Sequence, residues 1–167
     1  RVMKTPGPLS FDCDLGQLPT KATHRHDEFV GFFGRFLFWL RDAALDDSRT
    51  FVESHQARSK LATIRREPFD AIASMTPEQR EAAIVFAQQT LDGFLERLTW
   101  ALGDEGTDAK FGERCAYHFR VVMDVVDAET GELVDEEVIN RGGRFFGSYW
   151  GRWLNRYGKD PTPPSVE

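Results

Sequence analysis

Apolar residues recur at intervals of three and four over much of the chain, and this spacing predicts helices. The first helix is predicted over 27–45, where six apolar residues form one wide buried face. These residues are Phe29, Phe32, Phe33, Phe36, Leu40 and Ala43. A more polar helix capped by the 46–48 group is predicted over 48–66, and Pro68 is predicted to start a short segment that reaches Ser74.

The next helix has the clearest start signal in the chain. Thr76 can cap it, Pro77 suits its first position, and Gln79 stands three residues after the cap, which completes a capping box. One apolar stripe then continues for five helical turns. It consists of Ile84, Ala87, Leu91, Leu95, Leu98 and Leu102. This pattern predicts a helix that ends before the polar loop 103–112.

Beyond that loop the pattern changes from helical spacing to alternation. Apolar and polar residues alternate over 117–126, which predicts a strand with one apolar face. The segment 127–131 contains Asp127 and Gly131 and has the composition of a turn, and 133–139 returns as a second strand. The sequence therefore predicts an antiparallel β-hairpin.

The last predicted element is a helix over 143–157. Its aromatic residues and leucine share one arc, with the arginines opposite. The arc contains Phe146, Trp150, Trp153, Leu154 and Tyr157. The expected fold class is α+β, mainly helical, with about four main helices, one antiparallel hairpin near the C-terminus and a final aromatic-rich amphipathic helix. We expect an extended segment over 1–26, a single domain over 27–158 and a Pro-rich tail over 159–167.

Composition narrows the class of protein. The chain has 167 residues, a formal net charge of −6 and 13% aromatic residues, so it can fold as one domain and still leave aromatic surface for a partner. The acidic balance argues against nucleic acid and anionic membranes as partners. Cys13 and Cys115 fit no zinc spacing and favour two reduced thiols, with a disulfide left open. The apolar stretch 29–40 is too short to span a bilayer, so we expect a cytoplasmic protein.

One candidate catalytic cluster lies on the hairpin. His118, Arg120 and Asp124 share a face of the first strand, and Glu136 joins them if the register of the hairpin permits. Histidine and carboxylate side chains in this arrangement suit general acid and base catalysis by a hydrolase. The competing interpretation, which we prefer, is a charged sheet face that meets water. Nucleophile and phosphate-loop motifs are absent from the sequence, and no cofactor is predicted.

A metal site is the second chemical alternative. His24 and His26 are close in sequence, and His55 stands in the next predicted helix. The competing interpretation is a solvated loop followed by a helix start, and it requires no convergence of two helices. We therefore predict no metal and keep the three histidines as an alternative ligand set.

Residues for a partner surface are predicted from aromatics and arginines that a single core does not explain. Phe38 lies on the side of its helix that carries Gly31 and Gly34, away from the apolar stripe, and Phe86 and Trp100 lie away from the leucines of theirs. Aromatic and arginine residues are enriched among interface anchors. The competing interpretation is a central helix that packs on both sides, and we prefer it for the helix that starts at Pro77. The arginines assigned to this surface are Arg144, Arg152 and Arg156.

The leading functional hypothesis is a small acidic protein that binds another protein, as an inhibitor or immunity-type protein that occludes a basic target. The first alternative is a hydrolase that uses the hairpin cluster or a metal. The second is a nucleic-acid-binding module that uses the arginine face of the last helix. The sequence leaves the oligomeric state and the identity of the partner open.

Overall fold

The computed structural model describes residues 22–103, 110–111, 115–116, 119–127, 129–140 and 146–158. Backbone contacts group these residues into two compact units. One unit is Trp39–Phe94, and the other combines residues 22–38 with the described residues from 95 to 158. The single domain expected over 27–158 stays a prediction, and the Pro-rich tail lies outside the described residues.

The described residues form five α-helices and two short antiparallel strand pairs. In chain order they are α1 (Ala22–Glu53), α2 (His55–Arg58), α3 (Thr63–Ala73), α4 (Pro77–Leu102), β1 (Lys110–Phe111), β2 (Cys115–Ala116), β3 (Val122–Val126), β4 (Leu133–Val138) and α5 (Tyr149–Tyr157). The α+β class, the hairpin and the final aromatic helix are confirmed. The β1–β2 pair was not predicted.

Helix α1 is longer at both ends than the sequence pattern indicates. It begins at Ala22, so residues 22–26, expected to be extended, are helical. It also continues past 46–48, where a new helix was predicted to start. The hydroxyl of Ser48 donates to the carbonyl of Ala44 at 2.8 Å, so this side chain is satisfied inside the helix and does not cap a new one.

An arginine from the following segment caps the C-terminal end of α1. The Nη1 of Arg58 donates to the carbonyls of Phe51 and Val52 at 2.8 and 2.7 Å. Its Nε donates to Asp70 of α3 at 2.9 Å. Helix ends leave carbonyls unsatisfied, so Arg58 replaces the hydrogen bonds that the helix itself cannot make. The helix predicted over 48–66 is therefore interrupted, and Pro68 lies inside α3 instead of starting a helix.

The unit Trp39–Phe94 buries a charged pair. The guanidinium of Arg41 donates to both carboxylate oxygens of Asp92 at 2.5 and 2.9 Å, and to Asp42 at 2.9 Å. Burial opposes the charged form of Arg41, but hydrogen bonds and attraction from the two carboxylates outweigh it and raise the pKa of Arg41. Helix α4 carries Asp92 and begins with the predicted capping box: Thr76 and Gln79 each accept the other's backbone N–H, at 3.3 and 3.1 Å.

The other unit buries aromatic residues. Its core consists of Phe29, Val30, Leu37, Phe38, Leu95, Ile139, Phe146, Trp150 and Trp153. The rings of Phe146 and Trp153 meet edge to face with centroids 5.7 Å apart, a favoured aromatic geometry. The prediction that the aromatic arc of the last helix belongs to the core is confirmed for Phe146, Trp150 and Trp153.

The buried side of α1 differs from the predicted stripe. Phe36 and Leu40, predicted to be buried, are exposed, and Phe38 is only 1% exposed. A Cβ on Gly34 would collide with the indole of Trp153, so the absence of a side chain there lets the α5 aromatic approach the helix. The glycine side of α1 therefore receives α5. Of the predicted stripe, Phe33 also contacts α5, with its ring edge to face with that of Trp153 at a centroid distance of 6.2 Å.

The β3–β4 hairpin follows the predicted turn chemistry. The carboxylate of Asp127 accepts the backbone N–H of Glu129 and of Thr130 at 2.9 and 2.8 Å. Gly131 adopts a positive φ of 71°, which glycine tolerates without strain. Val121, Met123 and Val125 pack against the aromatic core, so one face of the hairpin is covered and the other is open.

Candidate functional site

The open face of the hairpin brings two carboxylates together. Asp124 of β3 is the direct cross-strand partner of Glu136 of β4. Both side chains are exposed, and directly opposed residues of an antiparallel pair lie on the same face. The register therefore meets the condition under which Glu136 joins Asp124.

This arrangement does not favour folding. Like charges that face each other across an antiparallel pair are destabilising. Within the described part of the chain, neither Asp124 nor Glu136 forms an ion pair. Two adjacent carboxylates remain able to accept hydrogen bonds from one cationic group.

Apolar side chains surround the carboxylates. Val122 and Val126 of β3 are 47% and 51% exposed, and Leu133 and Val134 of β4 are 59% and 51% exposed. The strand register shifts between Val125, which pairs with Asp135, and Val126, which pairs with Leu133. This irregularity leaves Leu133 and Val134, two consecutive apolar residues of β4, exposed. We define the outer face of the hairpin as Val122, Asp124, Val126, Leu133, Val134 and Glu136. It combines an apolar rim with an acidic centre.

The other members of the predicted catalytic cluster differ in what the structure shows. Arg120 is exposed two residues before β3. His118 lies outside the described residues. Chemically, the described part of this cluster offers two carboxylates for a cation, and the hydrolase alternative stays a prediction.

On the inner face of the hairpin, by contrast, each acid lies beside a basic side chain of α1. The Nδ1 of His26 lies 2.9 Å from the Oε1 of Glu137, and both side chains are largely buried. The Nε of Arg25 lies 3.4 Å from the Oδ2 of Asp135. These two pairs attach the first turn of α1 to β4. Neither acid was predicted from the sequence, although their spacing of two residues within a strand indicates a common face.

The predicted metal ligands are not assembled into a metal site. His26 is paired with Glu137, His24 is exposed, and His55 belongs to the other compact unit. The described residues contain no group of three histidine, cysteine, aspartate or glutamate side chains placed to hold a metal ion. The three histidines therefore do not form a metal site in this structure, and His26 instead helps to attach α1 to β4.

Phe38 was assigned to a partner surface, and this assignment is wrong. Its ring stacks on Trp150 with centroids 4.8 Å apart and an interplanar angle of 23°. Only 1% of Phe38 is exposed, so a partner cannot reach it. The glycines on its side of α1 are the sequence signal for this burial, because small residues mark where another element approaches closely.

Phe86 and Trp100 are accessible, as a partner surface requires. Phe86 is 70% exposed and belongs to the unit Trp39–Phe94. Trp100 is 44% exposed, and part of its ring lies against Gly147, where a Cβ would collide with it. Trp100 therefore also has a packing role.

The arginines of α5 are exposed and lie over tyrosine rings. The guanidinium of Arg152 is 5.6 Å from the ring centroid of Tyr149, and that of Arg156 is 5.4 Å from the centroid of Tyr157. These are cation–π distances. Arg144 lies outside the described residues, so the predicted arginine face is described only in part.

Comparisons with known proteins do not assign a class to this chain. No family model, curated protein or solved structure matches it. In the described part of the chain, none of the helices has the length and apolar character needed to cross a membrane.

Proposed function

We propose that this chain binds another protein and that the outer face of the hairpin receives a lysine or arginine side chain of that partner. The observation that carries the proposal is the opposition of Asp124 and Glu136 on an exposed, partly apolar face. A cation placed between the carboxylates replaces their repulsion with charge-assisted hydrogen bonds, and a guanidinium can bond both at once.

Charge and surface composition support the same proposal. The formal net charge of −6 draws a basic partner toward the chain, which speeds association more than it adds affinity. The exposed valines and leucine supply apolar area around the acidic centre, and burial of this area by a partner favours association. The finer proposal is an inhibitor or immunity-type protein that covers a basic functional surface of its target.

The test begins with affinity capture on the immobilised chain from a lysate. A double variant, Asp124→Asn with Glu136→Gln, removes both charges of the outer face. The matched control, Glu129→Gln with Glu132→Gln, removes two exposed charges of the same hairpin near its turn. We expect a partner that the wild type and the control retain and the outer-face variant does not.

Binding by the purified partner then decides the proposal. We expect the outer-face variant to bind about tenfold or more weakly, because it loses charge-assisted hydrogen bonds, and the wild-type affinity to fall as salt rises. If the partner is an enzyme, the finer proposal requires its activity to fall on binding. A partner that binds all three chains equally contradicts the outer face, and the absence of any stoichiometric partner contradicts the binding function.

Phe86 is proposed as a separate anchor in the unit Trp39–Phe94, on the strength of its exposure. The variant Phe86→Ser weakens the same complex if the partner covers both regions, and leaves it unchanged if only the hairpin is used. Within the described residues, no specific contact favours the hydrolase or the nucleic-acid alternative over protein binding.

A further inference from the structure

The unit Trp39–Phe94 contains a small cleft that the hairpin proposal does not use. Its volume is about 230 Å³. Four charged and three apolar residues line it. They are Arg49, Glu53, Arg80, Glu81, Val52, Pro77 and Ile84. Ligand pockets for drug-sized molecules usually exceed about 300 Å³, so this cleft suits a smaller ligand.

Arg80 lines this cleft and carries an unsatisfied hydrogen-bond donor. Its Nε is buried and has no acceptor among the described residues. Its guanidinium forms no ion pair in the part of the chain that the structure describes. A buried donor without an acceptor is costly, and such groups in folded proteins call for a ligand, ion or water. An oxyanion is the chemical complement of this group.

The remaining charges of the cleft restrict the ligand further. Arg49 and Glu81 form an ion pair of 3.7 Å with each other. Glu53 takes part in no ion pair within the described ranges. The cleft thus presents one cation and one anion that form no ion pair within the described ranges, Arg80 and Glu53. Arg80 also attracts the exposed carboxylate of Glu78. This balance disfavours a multiply charged phosphate and matches a ligand that carries one charge of each sign.

The apolar lining defines the rest of the ligand. Val52 and Ile84 are buried residues, and Pro77 adds a rigid apolar ring. Burial of aliphatic surface against these side chains contributes favourably to binding.

We propose that the cleft binds a small aliphatic zwitterion, of which a free branched-chain amino acid is the simplest example. The carboxylate of the ligand accepts hydrogen bonds from Arg80, and its ammonium group pairs with Glu53. The aliphatic group packs on Val52 and Ile84. This site belongs to one compact unit and is independent of the outer face of the hairpin.

Titration calorimetry on the full chain tests the ligand class with four probes. Leucine carries both charges and the aliphatic group. 4-Methylpentanoate lacks the amine, 3-methylbutylamine lacks the carboxylate, and glycine lacks the aliphatic group. We expect measurable binding of leucine and about tenfold or greater weakening for each of the others, since each loses one charge-assisted or apolar contact.

Variants test the residues. Arg80→Gln and Glu53→Gln are expected to weaken leucine binding about tenfold or more. The control Arg65→Gln removes an exposed cation of α3 and is expected to leave binding unchanged. Because Arg80 forms no ion pair in the described part of the chain and its attraction to the exposed Glu78 is screened by solvent, its replacement should not unfold the chain, and circular dichroism checks this.

Three results would overturn the proposal. The first is the absence of both a heat of binding and NMR amide chemical-shift changes when leucine is added at millimolar concentration. The second is equal binding of leucine by Arg80→Gln and the wild type. The third is equal affinity for leucine and 4-methylpentanoate, which would leave an anion site in which Glu53 has no role.

Discussion

The two faces of the hairpin use the same residue type in opposite ways. On the inner face, Asp135 and Glu137 each meet a cationic or titratable nitrogen of α1. On the outer face, Glu136, which lies between them in sequence, meets Asp124 across the strands. Three consecutive acids of β4 therefore have different electrostatic environments, because alternate side chains of a strand point to opposite faces.

The acids of the inner face contribute to stability, whereas those of the outer face are better explained by function. The inner pairs satisfy charge while they join α1 to the hairpin, so folding explains them. The opposed pair on the outer face works against folding, and proteins retain such arrangements chiefly where function requires them. This contrast is why we place the partner site on the outer face.

The largest effect is expected from Glu137→Lys on the inner face. The substitution places a cation beside His26 and removes the carboxylate that it bonds, so the free energy of unfolding should fall by about 3–5 kcal/mol. Urea unfolding followed by tryptophan fluorescence measures this loss. A loss below about 1 kcal/mol would show that the inner pair contributes no more than a surface ion pair.

A smaller loss is expected from Arg25→Ala. The pair with Asp135 is partly exposed, and solvent screens it, so the expected cost is about 0.2–1 kcal/mol. The same unfolding measurement in low and high salt checks the assignment, because the difference between wild type and variant should shrink as salt rises. A difference that is independent of salt would point to packing of the arginine stem.

Glu136→Lys is the same kind of substitution on the outer face. Its effect on the free energy of unfolding should be opposite in sign to that of Glu137→Lys. It replaces repulsion of Asp124 with attraction, so we expect stability to rise by about 0.5 kcal/mol. At the same time it removes the acidic centre, and partner binding should be lost. A variant that is both less stable and fully able to bind would remove the contrast between the faces.

The smallest effect is local and depends on pH. Backbone hydrogen bonds from Thr130 and Glu129 lower the pKa of Asp127. The stability that this group adds is therefore complete above its unfolded pKa of about 3.9 and is lost as the pH falls through the folded value. The protection of turn amides, which is the slowing of their exchange relative to the intrinsic rate at the same pH, should fall over that acid range in the wild type. It should vary less with pH in Asp127→Asn, whose amide oxygen accepts the same bonds without titrating.

Elements with local signals were predicted well. The capping box of Thr76 and Gln79 and the turn of Asp127 and Gly131 both depend on groups within a few residues of each other. The core positions of Phe146, Trp150 and Trp153 were also predicted correctly, because a helix with one strongly apolar face buries that face.

The errors concern choices that local patterns leave open. Helix α1 carries aromatics on more than one side, so its hydrophobic pattern allows two buried faces. The close approach of Trp153 at Gly34 selects the side that contains Phe38. The boundary at Ser48 failed for a related reason, because a hydroxyl that caps a helix can equally bond the carbonyl four residues earlier.

The sequence by itself determined that the chain is mainly helical, where α4 starts, where the β3–β4 hairpin turns, and the acidic, aromatic-rich character of the chain. Only the tertiary structure decided which side of α1 is buried and which acids of β4 acquire a partner. His26 and Glu137 are separated by 111 positions. A pairing of this kind is set by packing and register, which no window of neighbouring residues contains, whereas caps and turns are set by atoms within one turn of chain.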